Sequence, residues 1–257
     1  MRNLRITILQ IPLVWENREA NLTFIEELLQ KRVNQTDVIL LPEMFTSGFS
    51  MNVSAFYENM EGETVRWMMK QASDFNALIV GSVAIREEDA LFNRLLVVSA
   101  KGVEATYDKR HLFGLAGETE VFSPGKTRLI FEYNGWKINF QICYDLRFPV
   151  WSRNTDDYHV LINVANWPEK RIHAWDQLLI ARSIENQCFT VGVNRIGEDG
   201  NGLKYPGHSV VITPLGDVVA KVVDQQWVET FELAMGELDE VRSKLPFLRD
   251  RDKFELE

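Results

Sequence analysis

Short strand-like runs alternate with helical patterns along the whole sequence, and this alternation restricts the fold more than any other feature. Alternating apolar residues at 4–8 predict a strand, and residues 18–33 then carry apolar side chains at helical spacing. A buried strand is predicted at 38–41, followed by an amphipathic helix whose apolar stripe covers residues 65–72. Such alternation predicts an α/β fold in which helices cover the faces of mixed sheets.

The rest of the chain continues this pattern and gives no sign of a domain boundary. Further strands are predicted at residues 78–84, 95–98, 103–107, 138–142, 160–162, 189–193, 210–213, 218–222 and 228–233, and further helices at residues 174–186 and 237–245. The sequence contains no linker, low-complexity stretch or internal repeat. We therefore expect one domain, residues 1–257, large enough to bury a core without disulfides.

Charge and composition exclude several classes of function. The formal net charge is −9 and the basic residues are scattered, so neither nucleic acid nor an anionic membrane surface is expected as a partner. No window approaches the roughly 18 apolar residues of a membrane helix, and the alternating N-terminal residues do not resemble a secretory signal. Cys143 and Cys188 are the only cysteines and cannot form a disulfide framework. We therefore expect a cytoplasmic protein.

Three residues with chemically different side chains follow predicted strands. Glu43, Lys109 and Cys143 each come within two residues of a strand end. Ligands of α/β sheets bind outside the carboxyl ends of the strands, where loops converge. Each residue alone is more often a solvated charge or a buried hydrophobe. Together they predict a pocket that holds an acid, a cation and a sulfur nucleophile.

The segments around these residues resemble the signature segments of the nitrilase superfamily, in the order and at the spacing of that family. They are LPEMF at 41–45, DKRHLF at 108–113 and CYDLRFP at 143–149. The resemblance covers nearly the whole chain and favours the bacterial omega-amidase (2-oxoglutaramate amidase) branch. The segments similar to that branch are FTSGF at 45–49, VANWP at 164–168 and ARSIENQ at 181–187.

The resemblance implies a role for each of the three residues. Glu43 is implied as the general base, Lys109 as the cation that stabilises the oxyanion, and Cys143 as the nucleophile. The family often has a second glutamate ahead of a Pro-Gly pair. The spacing to that pair favours Glu118, and Glu120 remains the alternative.

The fold implied by the resemblance is more specific than the α/β class. Family members are α-β-β-α sandwiches with two mixed sheets, and they pair through their helices into a four-layer homodimer. The helix predicted at residues 174–186 has a broad apolar face, which suits either that interface or the core.

The implied reaction is acyl transfer through a cysteine thioester, for which no metal or organic cofactor is required. A neighbouring cation or helix N-terminus lowers a thiol pKa from its usual value of about 8.5. Lys109 and a helical turn starting near Pro149 are predicted to lower the pKa of Cys143 in this way. Lys109 and the backbone N–H of Tyr144 are the candidate oxyanion donors.

Residues beside the signature segments are candidates for substrate binding, namely Phe49, Tyr144, Arg147 and Trp167. The implied substrate is a small ω-amide of a dicarboxylic acid, with 2-oxoglutaramate the leading candidate. Arg147 is expected either to bind the carboxylate of that substrate or to form a structural pair with Asp145 or another acid.

Several other functions are alternatives for the same residues. Nitrilase or N-carbamoyl hydrolase activity is the first alternative, and a non-catalytic ligand-binding member of the fold comes from another class. A papain-like protease is disfavoured by the local sequence around Cys143, and a metal site by the absence of ligand spacing such as HExxH. The glycine-rich residues 197–202 are predicted to form a turn, and Cys188 is predicted to lie in the core.

Overall fold

Two mixed β-sheets lie in the middle of the structure, and helices cover their outer faces. The structure is a computed structural model that describes residues 2–256. The strands are β1 (Leu4–Gln10), β2 (Val38–Leu40), β3 (Leu78–Glu87), β4 (Ala90–Ser99), β5 (Gly102–Asp108), β6 (Leu129–Tyr133), β7 (Trp136–Ile142), β8 (Val160–Ala165), β9 (Phe189–Asn194), β10 (Ile196–Glu198), β11 (Lys204–Ile212), β12 (Val218–Val223) and β13 (Trp227–Leu233). The helices are α1 (Arg18–Arg32), α2 (Glu63–Phe75), α3 (Glu118–Val121), α4 (Pro149–Ser152), α5 (Ile172–Asn186) and α6 (Met235–Lys244).

Both sheets have a parallel centre and antiparallel edges. The first has the strand order β13-β1-β2-β3-β4-β5, and β1, β2 and β3 run parallel. The second has the order β10-β11-β9-β8-β7-β6, with β12 also paired to β11, and β7, β8 and β9 run parallel. Parallel neighbours end at the same edge of a sheet. The loops after β2 and after β7 therefore emerge at the carboxyl edges of the two sheets.

Apolar side chains of both sheets meet in a shared core. Ile6 of the first sheet and Phe140 of the second belong to this cluster and are fully or almost fully buried. The other face of the first sheet packs against α1 and α2 through residues such as Leu29 and Met68. The other face of the second sheet packs against α5, whose Trp175 is fully buried. The predicted α-β-β-α arrangement with two mixed sheets is confirmed.

Local sequence explains how the outer helices begin and which face they bury. The side chain of Asn17 accepts a hydrogen bond from the N–H of Ala20 at 3.1 Å, which caps α1. Ile25 and Leu29 then lie on the side of α1 that packs on the first sheet. No helix within residues 2–256 combines the length and the apolar character that crossing a bilayer demands.

The elements that sequence patterns missed are those with weak local signals. β6 is half-exposed along most of its length, so its residues do not alternate between buried and exposed. β10 covers only three residues and ends inside the glycine-rich segment. β11 begins six residues earlier than predicted, at Lys204, because its first half contains Pro206 and Gly207, which are uncommon in strands.

Cys188 precedes β9 and is fully buried, as predicted. Its side chain packs in a small apolar cluster with Tyr158 and Leu161. Burial raises the pKa of this thiol to about 12, so the thiol stays protonated near neutral pH. A protonated, inaccessible thiol is a poor nucleophile, and we therefore treat Cys188 as a packing residue.

We predict that Cys188→Ala changes stability but not catalysis. The substitution removes a buried sulfur from the cluster with Tyr158 and Leu161, so the free energy of unfolding should fall by about 1–2 kcal/mol. Urea denaturation measures this loss, and a steady-state assay should give an unchanged kcat. A Cys188→Ala variant that is folded but inactive would contradict a packing role.

Candidate active site

Three strand ends bring Glu43, Lys109 and Cys143 together. Glu43 follows β2, Lys109 follows β5 directly, and Cys143 follows β7 directly. The Nζ of Lys109 donates to Oε1 of Glu43 at 2.8 Å, and both side chains have 0% exposure. Lys109 and Cys143 line the same pocket. The site therefore lies where the ends of strands from the two sheets meet.

Lys109 is held between two carboxylates. Besides Glu43, its ammonium contacts both carboxylate oxygens of Glu118, at 3.0 and 2.9 Å. The side-chain amide of Asn93, on β4, donates to Glu43 at 2.9 Å and to Glu118 at 3.2 Å. Burial lowers the pKa of Lys109, but the charges of Glu118 and Glu43 outweigh it, so the pKa is raised and the ammonium stays charged.

The structure distinguishes the two candidates for the second glutamate. Glu118 is fully buried at the start of α3 and accepts a hydrogen bond from the backbone N–H of Phe113 at 2.6 Å. Glu120 is exposed and has no contact with Lys109 among the described residues. Burial, followed by the repulsion of Glu43, raises the pKa of Glu118, while Lys109 opposes the shift. Glu118, which the spacing to the Pro-Gly pair favours, is therefore the glutamate that contacts Lys109.

Cys143 stands on a strained turn. Its φ is +45°, a left-handed conformation that is unusual outside glycine, and a short 3-10 turn begins at this residue. Asp145 holds the turn in place by accepting hydrogen bonds from the N–H of Ile142 at 3.1 Å and from the hydroxyl of Tyr107 at 2.6 Å. It also contacts the backbone N–H of His111 at 2.9 Å and its ring Nδ1 at 2.8 Å.

The pKa of the Cys143 thiol is shifted in the direction opposite to the prediction. Burial raises it well above its usual value, the charge of Glu43 raises it further, and the opposing effect of Lys109 is smaller. The prediction was wrong because it left out burial, which has the largest effect, and treated Lys109 as an isolated cation, whereas Lys109 is paired with two carboxylates. The thiol is therefore protonated at neutral pH.

Asn166 connects the segment after β8 to the catalytic glutamate candidate. Its backbone N–H donates to Oε2 of Glu43 at 2.8 Å, and its side-chain amide donates to the Glu43 carbonyl at 2.6 Å. The Cys143 sulfur lies 3.9 Å from the Asn166 carbonyl oxygen. The sequence analysis took the resemblance and the candidate Trp167 from the VANWP segment, but it did not single out Asn166. An asparagine directly after a buried strand was the available signal for a site residue.

The pocket above Cys143 is lined by all four predicted substrate-binding residues, Phe49, Tyr144, Arg147 and Trp167. The ammonium of Lys109 lies 4.9 Å from the centroid of the Phe49 ring. The Arg147 guanidinium lies 4.9 Å from the centroid of Trp167 and forms no ion pair with Asp145 among the described residues. The pocket is thus mostly apolar and aromatic, with cationic groups in its wall.

The chain belongs to the carbon–nitrogen hydrolase family, whose model matches residues 5–244. It is 47% identical over 257 residues to omega-amidase YafV of Escherichia coli (strain K12), covering 100% of both chains. It is 34% identical over 250 residues to 2-oxoglutaramate amidase of Bacillus subtilis, covering 95% of this chain and 96% of that protein. XC1258 of Xanthomonas campestris, a CN-hydrolase superfamily protein with an arsenic adduct in its active site, superposes with a TM-score of 0.97 at 42% identity and 100% coverage of both chains. The resemblance to the nitrilase superfamily is confirmed.

We predict that alkylation of Cys143 by iodoacetamide accelerates continuously from about pH 7 to about pH 9. The thiolate is the reacting form, and a pKa raised well above the usual value keeps it a minor species throughout this range. Mass spectrometry of tryptic peptides measures the rate, with Cys188 as an unlabelled internal reference. A rate that levels off below about pH 8 would show a preformed thiolate and contradict the raised pKa.

Proposed function

We propose that this protein is an omega-amidase that hydrolyses a small dicarboxylic acid monoamide to the free acid and ammonia. 2-Oxoglutaramate is the leading candidate substrate. The observation that carries the proposal is that Cys143 lines the same pocket as Lys109, whose ammonium is paired with buried Glu43 and Glu118 behind the pocket wall. The similarity to omega-amidase YafV and to 2-oxoglutaramate amidase supports the substrate class.

The first half-reaction forms a thioester and releases ammonia. The sulfur of Cys143 attacks the amide carbon while its proton passes to Glu43, the acid whose charge acts most strongly on the thiol. Glu43 then gives this proton to the amide nitrogen, the C–N bond breaks, and ammonia leaves. The raised thiol pKa suits this order of events, because the proton remains on sulfur until attack begins.

The second half-reaction hydrolyses the thioester. Glu43 takes a proton from water, the resulting hydroxide attacks the acyl carbon, and the departing thiolate recovers the proton from Glu43. Lys109 and the backbone N–H of Tyr144 donate to the substrate oxygen as negative charge develops on it. A donor of this kind typically lowers the barrier by about 3 kcal/mol.

Glu118 acts in this scheme by keeping Lys109 charged. Glu43 becomes neutral whenever it carries the transferred proton, so it then no longer stabilises the buried ammonium. Glu118 contacts the same ammonium through both oxygens and remains available at that moment. We therefore assign Glu118 as the residue that holds the position and the charge of Lys109 through the cycle.

The remaining pocket residues are assigned to substrate binding. Phe49, Tyr144 and Trp167 enclose the aliphatic part of the substrate, and Arg147 binds its carboxylate. Nitrilase and N-carbamoyl hydrolase activities would use the same catalytic residues and remain alternatives. Burying a cluster of three charged groups is costly, because each must be desolvated. Binding a ligand without catalysis does not require such a cluster.

We also propose that residues 1–257 act as one domain in a cytoplasmic homodimer. Both cysteines are free, as in proteins of reducing compartments. Trp175 of α5 packs into the core, whereas Ile184 of the same helix is 53% exposed. The loop at Gly216 lies beside Ile184 and carries Leu215, which is 51% exposed. These exposed apolar side chains support pairing through α5.

We predict that Glu43→Gln abolishes turnover without unfolding the protein. Glutamine keeps the shape of the side chain but cannot accept a proton, so kcat should fall by about 10²–10⁴. Glu120→Gln is the matched control, because Glu120 is an exposed carboxylate close in sequence to Glu118. Steady-state rates and thermal unfolding of both variants provide the test. Wild-type rates for Glu43→Gln across about pH 6–9 would exclude Glu43 as the general base.

We predict a clear order of substrates for the wild-type enzyme. The kcat/KM for 2-oxoglutaramate should exceed that for an uncharged amide, for a nitrile of similar size and for an N-carbamoyl amino acid, because the pocket offers a guanidinium to a carboxylate. Ammonia release measures all four reactions, and Cys143→Ala is the blank. Preference for the nitrile or the carbamoyl compound would overturn the substrate proposal and leave the catalytic residues in place.

A further inference from the structure

Two arginines face the pocket, and only one of them was predicted. Arg147 comes from the turn that starts at Cys143, and Arg171 ends the short 3-10 turn Glu169–Arg171 that leads into α5. Both side chains line the pocket that contains Cys143 and Lys109. The second arginine thus lies in the site although it belongs to none of the three signature segments.

Aromatic rings fix both guanidinium groups. The guanidinium carbon of Arg171 lies 4.8 Å from the centroid of Phe113, and that of Arg147 lies 4.9 Å from the centroid of Trp167. Stacking of this kind orients the planar group and leaves its N–H edge free to donate. The indole N–H of Trp167 also donates to the carbonyl of Arg171 at 2.8 Å. One tryptophan therefore positions both arginines.

The two guanidinium groups have no protein partner for their N–H donors. Within residues 2–256, neither forms a side-chain hydrogen bond or an ion pair, whereas Arg94 and Arg182 are each paired with a carboxylate. The described pocket wall contains no aspartate and no glutamate. A planar guanidinium group that is held in one orientation and keeps its N–H donors free is suited to bidentate binding of a carboxylate.

We infer that Arg171 is a specificity-determining residue that, together with Arg147, binds the 2-oxo acid end of the substrate and rejects the corresponding amino acid. This inference rests on the proposed omega-amidase function. A 2-oxo acid presents a carboxylate and a neighbouring carbonyl oxygen, which are acceptors for two guanidinium groups. The amino acid L-glutamine has the same ω-amide but carries an α-ammonium, which would meet the two guanidinium cations, and no carboxylate lines the described pocket wall.

The test compares Arg171→Gln with the wild-type enzyme on 2-oxoglutaramate, L-glutamine and an uncharged primary amide such as butyramide. The kcat/KM for 2-oxoglutaramate should fall by about 10–100-fold, mainly through KM. The ratio of kcat/KM for 2-oxoglutaramate to that for L-glutamine should fall by at least about tenfold, since one of the two repelling cations is gone. Arg171→Lys should recover only part of the loss, because a lysine ammonium is not a planar fork.

Lys170→Gln is the matched control, since Lys170 is exposed on the same turn and does not line the pocket. It should behave as the wild type on all three substrates. Equal losses of Arg171→Gln on all three substrates together with a lower Tm would mean a structural role and would overturn the inference. If the wild type prefers 2-oxoglutaramate to L-glutamine and Arg171→Gln leaves that ratio of kcat/KM unchanged, the inference is overturned and the proposed function stands. Failure of the wild type to hydrolyse 2-oxoglutaramate would overturn the proposed function and the inference with it.

Discussion

A fully buried lysine between two buried carboxylates is the interaction on which the rest of the site depends. Removing three charged groups from water is costly unless each is paired and hydrogen-bonded. Lys109 contacts Glu43 and Glu118, and Asn93 bridges the two acids. Asn166 donates to Glu43 from the second sheet, so the charge cluster also joins the two sheets. The sandwich and the cluster therefore stabilise each other.

Cys143, the proposed nucleophile, is held across the same junction. Asp145 follows β7 of the second sheet and accepts a hydrogen bond from Tyr107, which lies on β5 of the first sheet, two residues before Lys109. The left-handed backbone conformation of Cys143 costs about 1–3 kcal/mol on its own. The hydrogen bonds that Asp145 accepts offset that cost. The same two strands thus set the position of the ammonium and the angle of the thiol.

The sequence alone located the residues to which we assign the chemistry, but not the neighbouring residues that shift their pKa values. Glu43, Lys109 and Cys143 could be found because each follows a strand within a recognisable segment. Asn93 could not, since it lies within β4 and its role depends on a neighbour that is remote in sequence. The predicted direction of the Cys143 pKa shift was wrong for the same reason, because the shift depends on burial and on how far Glu43 and Glu118 balance the charge of Lys109. Strand order and charge balance are three-dimensional properties that local patterns do not contain.

The distribution of charge gives the substrate only one favourable orientation. The carboxylates of the site lie at its base, bonded to Lys109, whereas Arg147 and Arg171 line the wall of the pocket. A substrate with an amide at one end and a carboxylate at the other is repelled if its carboxylate approaches Glu43, and is attracted if that carboxylate meets the guanidinium groups. Phe113 links the two regions, since its ring supports Arg171 and its N–H donates to Glu118. The loop that carries Phe113 therefore contacts both the charge cluster and the arginine to which we assign substrate binding.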